Sequence, residues 1–450
     1  MKPVKDKLSF KISLLSISLF LMIAPQISAA LPLMYNAFPG VSQSGVETLS
    51  TIPNFGIMVG LFVSPFLIRA LGQKLTILIG LVITLLAGTF PMYAVAFTPI
   101  LISRFLLGAG IGLFNSLAVS LIPQFYVDDE EERASMLGFQ NVMSSIGAAV
   151  SSFLVSYLVT ISWHAAFVIY FLVIPSLILF TLFVPLKRET TQFGNQNGNK
   201  QKQSINGKVI LIAILMFFIF MLYLPMSYKL PTMIVENGIG TTSTAAMVAG
   251  FSTLVGIPIG VTFGFFFKKL CDKIFPLGFF LVTLGFLLTA FSQNLVILLL
   301  SMVITGIGFG FAVPYMYNWL GWAAPQNSVN LATTLVLVMV NVGCFVSPTV
   351  MGALSAFFGS EASNTLLVSA IGFALITIYA LCIMSECIIY TNNIREELVG
   401  KRVSFLSGGL SWKRVSMKWS TLIKAYCHFY MFTMSSRLPI LSRIGIGLLN

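Results

Sequence analysis

Twelve separate stretches of this 450-residue chain are apolar over about 20 residues each, the length an α-helix needs to cross the hydrocarbon core of a membrane. They run approximately over residues 12–36, 50–70, 75–97, 99–124, 134–161, 164–186, 209–230, 244–267, 276–292, 295–318, 328–355 and 364–389. Backbone groups find no water inside a bilayer, so each run is expected to be helical. The runs are continuous and lack the period-two alternation of a membrane barrel. Only 9% of the residues are charged and 57% are hydrophobic. That leaves too little polar surface for a soluble globule and too much apolar sequence for a disordered chain. The expected fold class is an all-α integral membrane protein.

The net charge of +12 would fit a nucleic-acid partner, but the basic residues sit in short loops and tails, with no basic stripe on a soluble domain. No nucleic-acid partner is therefore expected, and contact with anionic membrane lipid is. With the N-terminus inside and the spans alternating, every one of the 26 Lys and Arg residues falls on the inner side except Lys229 and Arg104. The positive-inside rule thus predicts an even number of spans and two cytoplasmic termini. Lys2, Lys5, Lys7 and Lys11 followed by Ser28-Ala29-Ala30 imitate a signal peptide, but the apolar run to Tyr35 is too long and reads as an uncleaved first span. Five cysteines without a CxxC pair and only two histidines, His164 and His428, predict no metal centre, no disulfide framework and no cofactor. Low charge and abundant Phe, Ile and Asn suit a bacterial cell membrane.

The chain divides at an Asn-, Gln-, Gly- and Lys-rich linker, 187–208. The expected organisation is a cytoplasmic segment 1–11, a six-helix bundle 12–186, the cytoplasmic linker, a second bundle 209–389 and a basic, poorly ordered tail 390–450. An alternative lays the tail, with Trp412 and Trp419, on the anionic inner leaflet. The halves repeat: Gly108, Gly110 and Gly112 correspond to Gly306, Gly308 and Gly310 at an offset of 198. Gly72-Gln73-Lys74 corresponds to Cys271-Asp272-Lys273 at 199, and Asn141 to Asn341 at 200. Twelve helices in two pseudo-symmetric bundles characterise one class of secondary transporter, with the solute site between them.

Arg104-Phe105-Leu106-Leu107-Gly108-Ala109-Gly110 in the fourth run resembles the R-x-x-x-G-x-G motif of the major facilitator superfamily. Leu67, Gly72 and Lys74 after the second run, and Gly264, Lys269 and Lys273 after the eighth, match parts of that family's gating-loop motif. The motif's acid is replaced by Arg69 and Lys268. Asp128 to Arg133 is similar to the acidic-then-arginine loop after span four, and Trp163-His164-Ala165-Ala166-Phe167 to the start of span six, with His164 for an arginine. The resemblance covers about residues 10–390. It implies alternating access, coupling to protons, a monomer, and a cavity lined by spans one, four, seven and ten. On that analogy the cavity candidates are Gln26, Asn36, Asn115, Ser116, Tyr223, Tyr228, Tyr315, Tyr317 and Asn318.

An ionisable group inside a membrane is costly, about 2.5–3.5 kcal/mol on insertion scales, and so marks a candidate site. Arg104 lies roughly 8 Å below the outer boundary. It reads either as a cavity residue that binds an anionic group or tunes a proton site, or as a brace between helices. No carboxylate lies deep in a run; Glu47, at the outer start of the second, is the leading proton carrier and the expected partner of Arg104. Lys229 reads as an attractor of anions at the outer mouth or as a span-end anchor. Gly108, Gly112, Gly306 and Gly310 are expected to let helices approach closely. Asn141 and Asn341 fit interhelical hydrogen bonds. No P-loop, histidine cluster or embedded pair of acids is present, so neither direct ATP drive nor an enzyme is expected. The predicted function is a secondary transporter of a small organic solute, either an organic anion or an amphipathic molecule. A non-transporting membrane sensor or scaffold is the alternative.

Overall fold

The computed structural model describes residues 8–126, 130–186, 204–270, 273–325, 328–359 and 361–406. Among them every regular element is helical. Ten helices are long and apolar enough to cross a membrane, and a bent pair at the N-terminus, Leu8–Phe20 with Ala24–Ala37, makes an eleventh. The apolar helix Ile274–Ala290 is shorter, at 17 residues. Phe66, Tyr93, Val95, Leu182 and Val296 are among many large apolar side chains exposed around the outside. In water such a surface would drive association, whereas lipid solvates it.

The first half contains α1 (Leu8–Ser16), α2 (Leu31–Ala37), α3 (Gln43–Leu71), α4 (Gln73–Thr89), α5 (Phe97–Phe125), α6 (Glu130–Leu158) and α7 (Val173–Phe183). The second contains α8 (Gly207–Tyr223), α9 (Pro225–Tyr228), α10 (Leu230–Glu236), α11 (Thr242–Leu270), α12 (Ile274–Ala290), α13 (Leu295–Ala323), α14 (Val329–Ser355) and α15 (Ala362–Leu406). Starts are fixed by side-chain caps: Ser42 Oγ accepts from the Gly45 N–H, Asn206 Oδ1 from Val209 and Asn294 Oδ1 from Ile297. Gly72 alone separates α3 from α4, with φ at 85°, a conformation that favours glycine. Buried side chains fall into two clusters, one built on residues 10–184 and the other on 209–380. Tyr228 and Ala246 of the second half join the first cluster, so the halves meet there.

The first apolar run is not one straight helix. Its two parts bend by 48°, and a short 3₁₀ segment, Ala24–Ala30, carries Pro25 at its start. A proline has no N–H and clashes with the carbonyl four residues back, which breaks an α-helix. The seventh run breaks the same way, into α8, α9 and α10, with Pro225 and Pro231 opening the latter two pieces. Pro25 and Pro225 are 200 residues apart, and Pro32 and Pro231 are 199 apart. The repeat thus extends to the helix breaks.

Packing follows the repeat in one place and departs from it in another. A Cβ at Gly110 would lie 2.8 Å from the Gly80 carbonyl oxygen, and one at Gly308 would lie 2.6 Å from that of Gly278. Both pairs are 30 residues apart and the offset between them is again 198. Gly108 and Gly112 let α5 approach α3, where added Cβ atoms would meet the carbonyl oxygens of Pro53 at 2.0 Å and Ile57 at 2.4 Å. Among the described residues a Cβ at Gly306 would meet nothing within 4 Å, so the expected close packing is absent there, and one at Gly310 would meet the Ile259 side chain. Helix α13 presents its tight face to α12 through Gly308 instead. Gly108→Ala should therefore cost about 1–3 kcal/mol through displaced backbone. Gly306→Ala should be neutral or stabilising by up to about 1 kcal/mol. Unfolding of the two purified variants checks both.

Helix α15 runs to Leu406, beyond the expected end at 389. Residues 390–406 contain no proline, and a helix already nucleated propagates at little cost. The remaining tail, 407–450, and most of the linker, 187–203, lie outside the described residues.

Candidate functional site

Two faces are useful landmarks: the terminal face, where α1 begins, and the distal face, where α2 ends and α3 begins. Glu47 lies in the first turns of α3, next to the distal face, and is fully buried. It does not pair with Arg104. Lys229, at the junction of α9 and α10, places Nζ 2.7 Å from Glu47 Oε1. The Tyr35 hydroxyl donates to the same oxygen at 2.9 Å and lies 3.2 Å from Thr232 Oγ1. Glu47 Oε2 is buried with no hydrogen-bond partner among the described residues. The pair joins the first half to the second in a dry setting. Breaking such a pair by removing one partner is far more costly than replacing both.

Other contacts also join the halves. Ser28 and Ser227 hydroxyls are 3.5 Å apart, and those of Ser156 and Ser243 are 2.9 Å apart. Thr51 Oγ1 donates to the Phe345 carbonyl at 3.4 Å, and Phe55 stacks on Phe345 with centroids 5.0 Å apart. Tyr228, packed into the first-half core, lies 3.2 Å from Ser347 Oγ, which donates to the Met221 carbonyl. Together with the Glu47–Lys229 pair, the cross-half contacts among these join the two halves.

Arg104 is fully buried in α5 and binds no carboxylate among the described residues. Nε donates to the Leu49 carbonyl at 3.0 Å, Nη2 to the Ala24 carbonyl at 2.6 Å and Nη1 to the Tyr170 hydroxyl at 2.5 Å. Its guanidinium carbon lies 5.8 Å from the Phe167 ring centre and 5.7 Å from that of Tyr170. One side chain thus ties α5 to α3, to the 3₁₀ segment Ala165–Leu172 that leads into α7, and to the broken first helix. The partners are mainly backbone carbonyls, which no residue pattern announces. Of the two readings of Arg104, the geometry matches the brace.

Between the two broken helices lies a cavity in which the centre of a water molecule has about 140 Å³ to move. Pro25, Gln26, Ser28 and Ala29 face it from the first half; Tyr223, Met226, Ser227, Ser252, Thr253 and Met302 face it from the second. Gln26 is held by Ser152, whose hydroxyl donates to Oε1 at 2.5 Å, and donates to the Met22 carbonyl freed by the helix break. Tyr223 stacks face to face on Phe309, centroids 3.7 Å apart.

Of the residues expected at the cavity, Gln26 and Tyr223 line it. Tyr228 is at the seam described above. Tyr315 is buried in the second-half core against Phe275, and Tyr317 packs against that core. Asn36 and Asn318 are exposed, as is Ser116, while Asn115 is half-buried, and none borders this cavity. Asn141 and Asn341 each donate to the carbonyl four residues back, to Leu137 and Leu337, and so bond within their own helices. Lys74 of the loop motif donates to the Thr181 and Val184 carbonyls, both at 2.9 Å, closing the end of α7. Lys269 and Lys273 are exposed, and Cys271 and Asp272 lie outside the described residues. Lys11 pairs with Glu132 at the terminal face.

Residues 12–273 match the profile of the Major Facilitator Superfamily, more than half of the chain. The chain belongs to the major facilitator superfamily. Solved structures agree with this facilitator in fold. The nucleoside transporter NupG has a TM-score of 0.69 at 13% identity, covering 84% of this chain and 99% of its own. A bacterial homolog of the human lysosomal transporter Spinster, inward-facing and unoccupied, scores 0.67 at 12% identity, covering 84% and 97%. A D-xylose-proton symporter scores 0.64 at 16% identity, covering 83% and 96%. A comparison with curated proteins gives no match. The similar folds and the family are those of transporters, and the facilitator is not an enzyme.

Sequence reasoning missed Ser227, Ser252, Thr253 and the Glu47–Lys229 pair. A signal for the cavity was present: prolines interrupting corresponding apolar runs in both halves, which point to the site of a repeat-built transporter.

Proposed function

We propose that this facilitator moves a small organic solute across the bacterial cell membrane by alternating access, coupled to protons through Glu47. Its twelve spans form bundles 12–186 and 209–389, with both termini and the linker cytoplasmic, and it works as a monomer. The distal face is then the outer one, and the state described here is closed outward. The observation that carries this reading is the buried Glu47–Lys229 pair joining the halves above a cavity framed by two broken helices. Protonating Glu47 would remove the charge that holds Lys229 and so loosen the outer closure. Similar folds named for nucleoside, peptide and xylose-proton transport support a small solute and a proton as cargo.

The test is a reversible lock. Ser156 and Ser243 hydroxyls are close enough for cysteines there to bridge across the halves. In a background free of other cysteines, oxidised Ser156→Cys/Ser243→Cys protein in proteoliposomes should lose solute uptake, and reduction should restore it. Undiminished uptake by the oxidised protein would refute alternating access through this face.

A further inference from the structure

Among the described residues, the cavity between the broken helices presents hydroxyls and an amide but no charge, and this bears on its cargo. Resting on the transporter reading above, we infer that it selects a small uncharged solute bearing hydroxyl or amide groups, with an apolar face.

The polar groups on its wall are those of Gln26, Ser28, Tyr223, Ser227, Ser252 and Thr253. Gln26, Ser28 and Thr253 already bond within the protein. The Tyr223 hydroxyl and Ser252 Oγ make no hydrogen bond to any described residue, and Ser227 Oγ has only the 3.5 Å approach to Ser28. Three hydroxyls are therefore left to serve a ligand, each able to donate or accept. Met226 and Met302 supply adaptable apolar wall. The stack on Phe309 holds the Tyr223 ring rigid, so its hydroxyl is positioned before a ligand arrives.

The two buried cations nearby are committed elsewhere. Arg104 spends its donors on carbonyls and Tyr170, and Lys229 is neutralised by Glu47; neither lines the cavity. An anionic solute would enter with no counter-charge, and a cation would meet none either. A charge moved into such a setting without a partner is strongly disfavoured, while a neutral hydroxyl or amide finds bonds. The room available is an order of magnitude above the roughly 10–15 Å³ that admits one water.

Counterflow in proteoliposomes holding the full chain tests this. Uridine, D-xylose and myo-inositol form the uncharged set; citrate, dialanine and choline form the charged set. Saturable exchange is expected only within the uncharged set. Tyr223→Phe, which keeps the ring, should raise the half-saturating concentration about 3–10-fold. Ser252→Asp should abolish exchange of the uncharged solute while the protein stays monodisperse. Exchange confined to a charged solute would overturn the inference and leave the transporter reading standing. An unchanged half-saturation in Tyr223→Phe would overturn the role of the hydroxyls. Exchange of none of the six would overturn the inference.

Discussion

Glu47→Gln is expected to open the distal face. The amide keeps the size of the side chain and a partner for Tyr35, but it leaves the ammonium of Lys229, a residue only 4% exposed, without a counter-charge. Removing one member of a buried pair costs about 3–5 kcal/mol, mostly for the charge left behind. That penalty applies to the closed arrangement, because an opened face would let water reach Lys229. A difference of this size moves a two-state balance by about two to four orders of magnitude, enough to reverse it. Spin labels at exposed Asn36 of α2 and Asn237 after α10 should report a longer separation in Glu47→Gln than in the unaltered chain. Glu47→Gln/Lys229→Met should return most of the closed population, because removing both charges is nearly neutral. An unchanged distance distribution in the single variant would show that the pair is no latch. Uptake by Glu47→Gln should also lose its dependence on a proton gradient, and retained dependence would eliminate Glu47 as the carrier.

The two predicted ion-pair partners of this region show where sequence reasoning stops. Depth along a run placed Glu47 and Arg104 near the same boundary, and opposite charge made them partners. The fold instead supplies Arg104 with the carbonyls of Ala24 and Leu49, and gives Glu47 to Lys229 of the other half. A carbonyl freed by a broken helix has no letter in the sequence, although the proline that breaks the helix does. The all-helical membrane class, the family and the offset near 198 were legible because hydrophobic length and glycine spacing are local properties. The looseness around Gly306 was not, because the same glycine spacing meets a different neighbour in each half. Helix α15 continues past the expected end of its span at 389, because loss of hydropathy ends a span but does not by itself stop a helix that meets no proline.

Arg104 carries the second large expectation, and charge alone should not satisfy it. Arg104→Met strips donors from three buried acceptors: the Leu49 and Ala24 carbonyls and the Tyr170 oxygen. Each buried group left without its partner costs about 1–3 kcal/mol, so the loss should reach about 3–5 kcal/mol even with some relaxation. Arg104→Lys separates the readings. A ligand for an anionic solute would work in part through any cation, and the lysine variant would keep measurable uptake with a raised half-saturating concentration. A brace needs a planar fork that reaches three directions at once and stacks between Phe167 and Tyr170, which an ammonium cannot do. On the bracing geometry, Arg104→Lys should lose most of the stability that Arg104→Met loses. Its maximal uptake should fall, because Gln26 and Ser28 sit on the helix segment that Arg104 ties down. Thermal unfolding of the purified chain gives the first measurement and proteoliposome kinetics the second. A lysine variant as stable as the unaltered chain, altered only in half-saturation, would return Arg104 to the solute path.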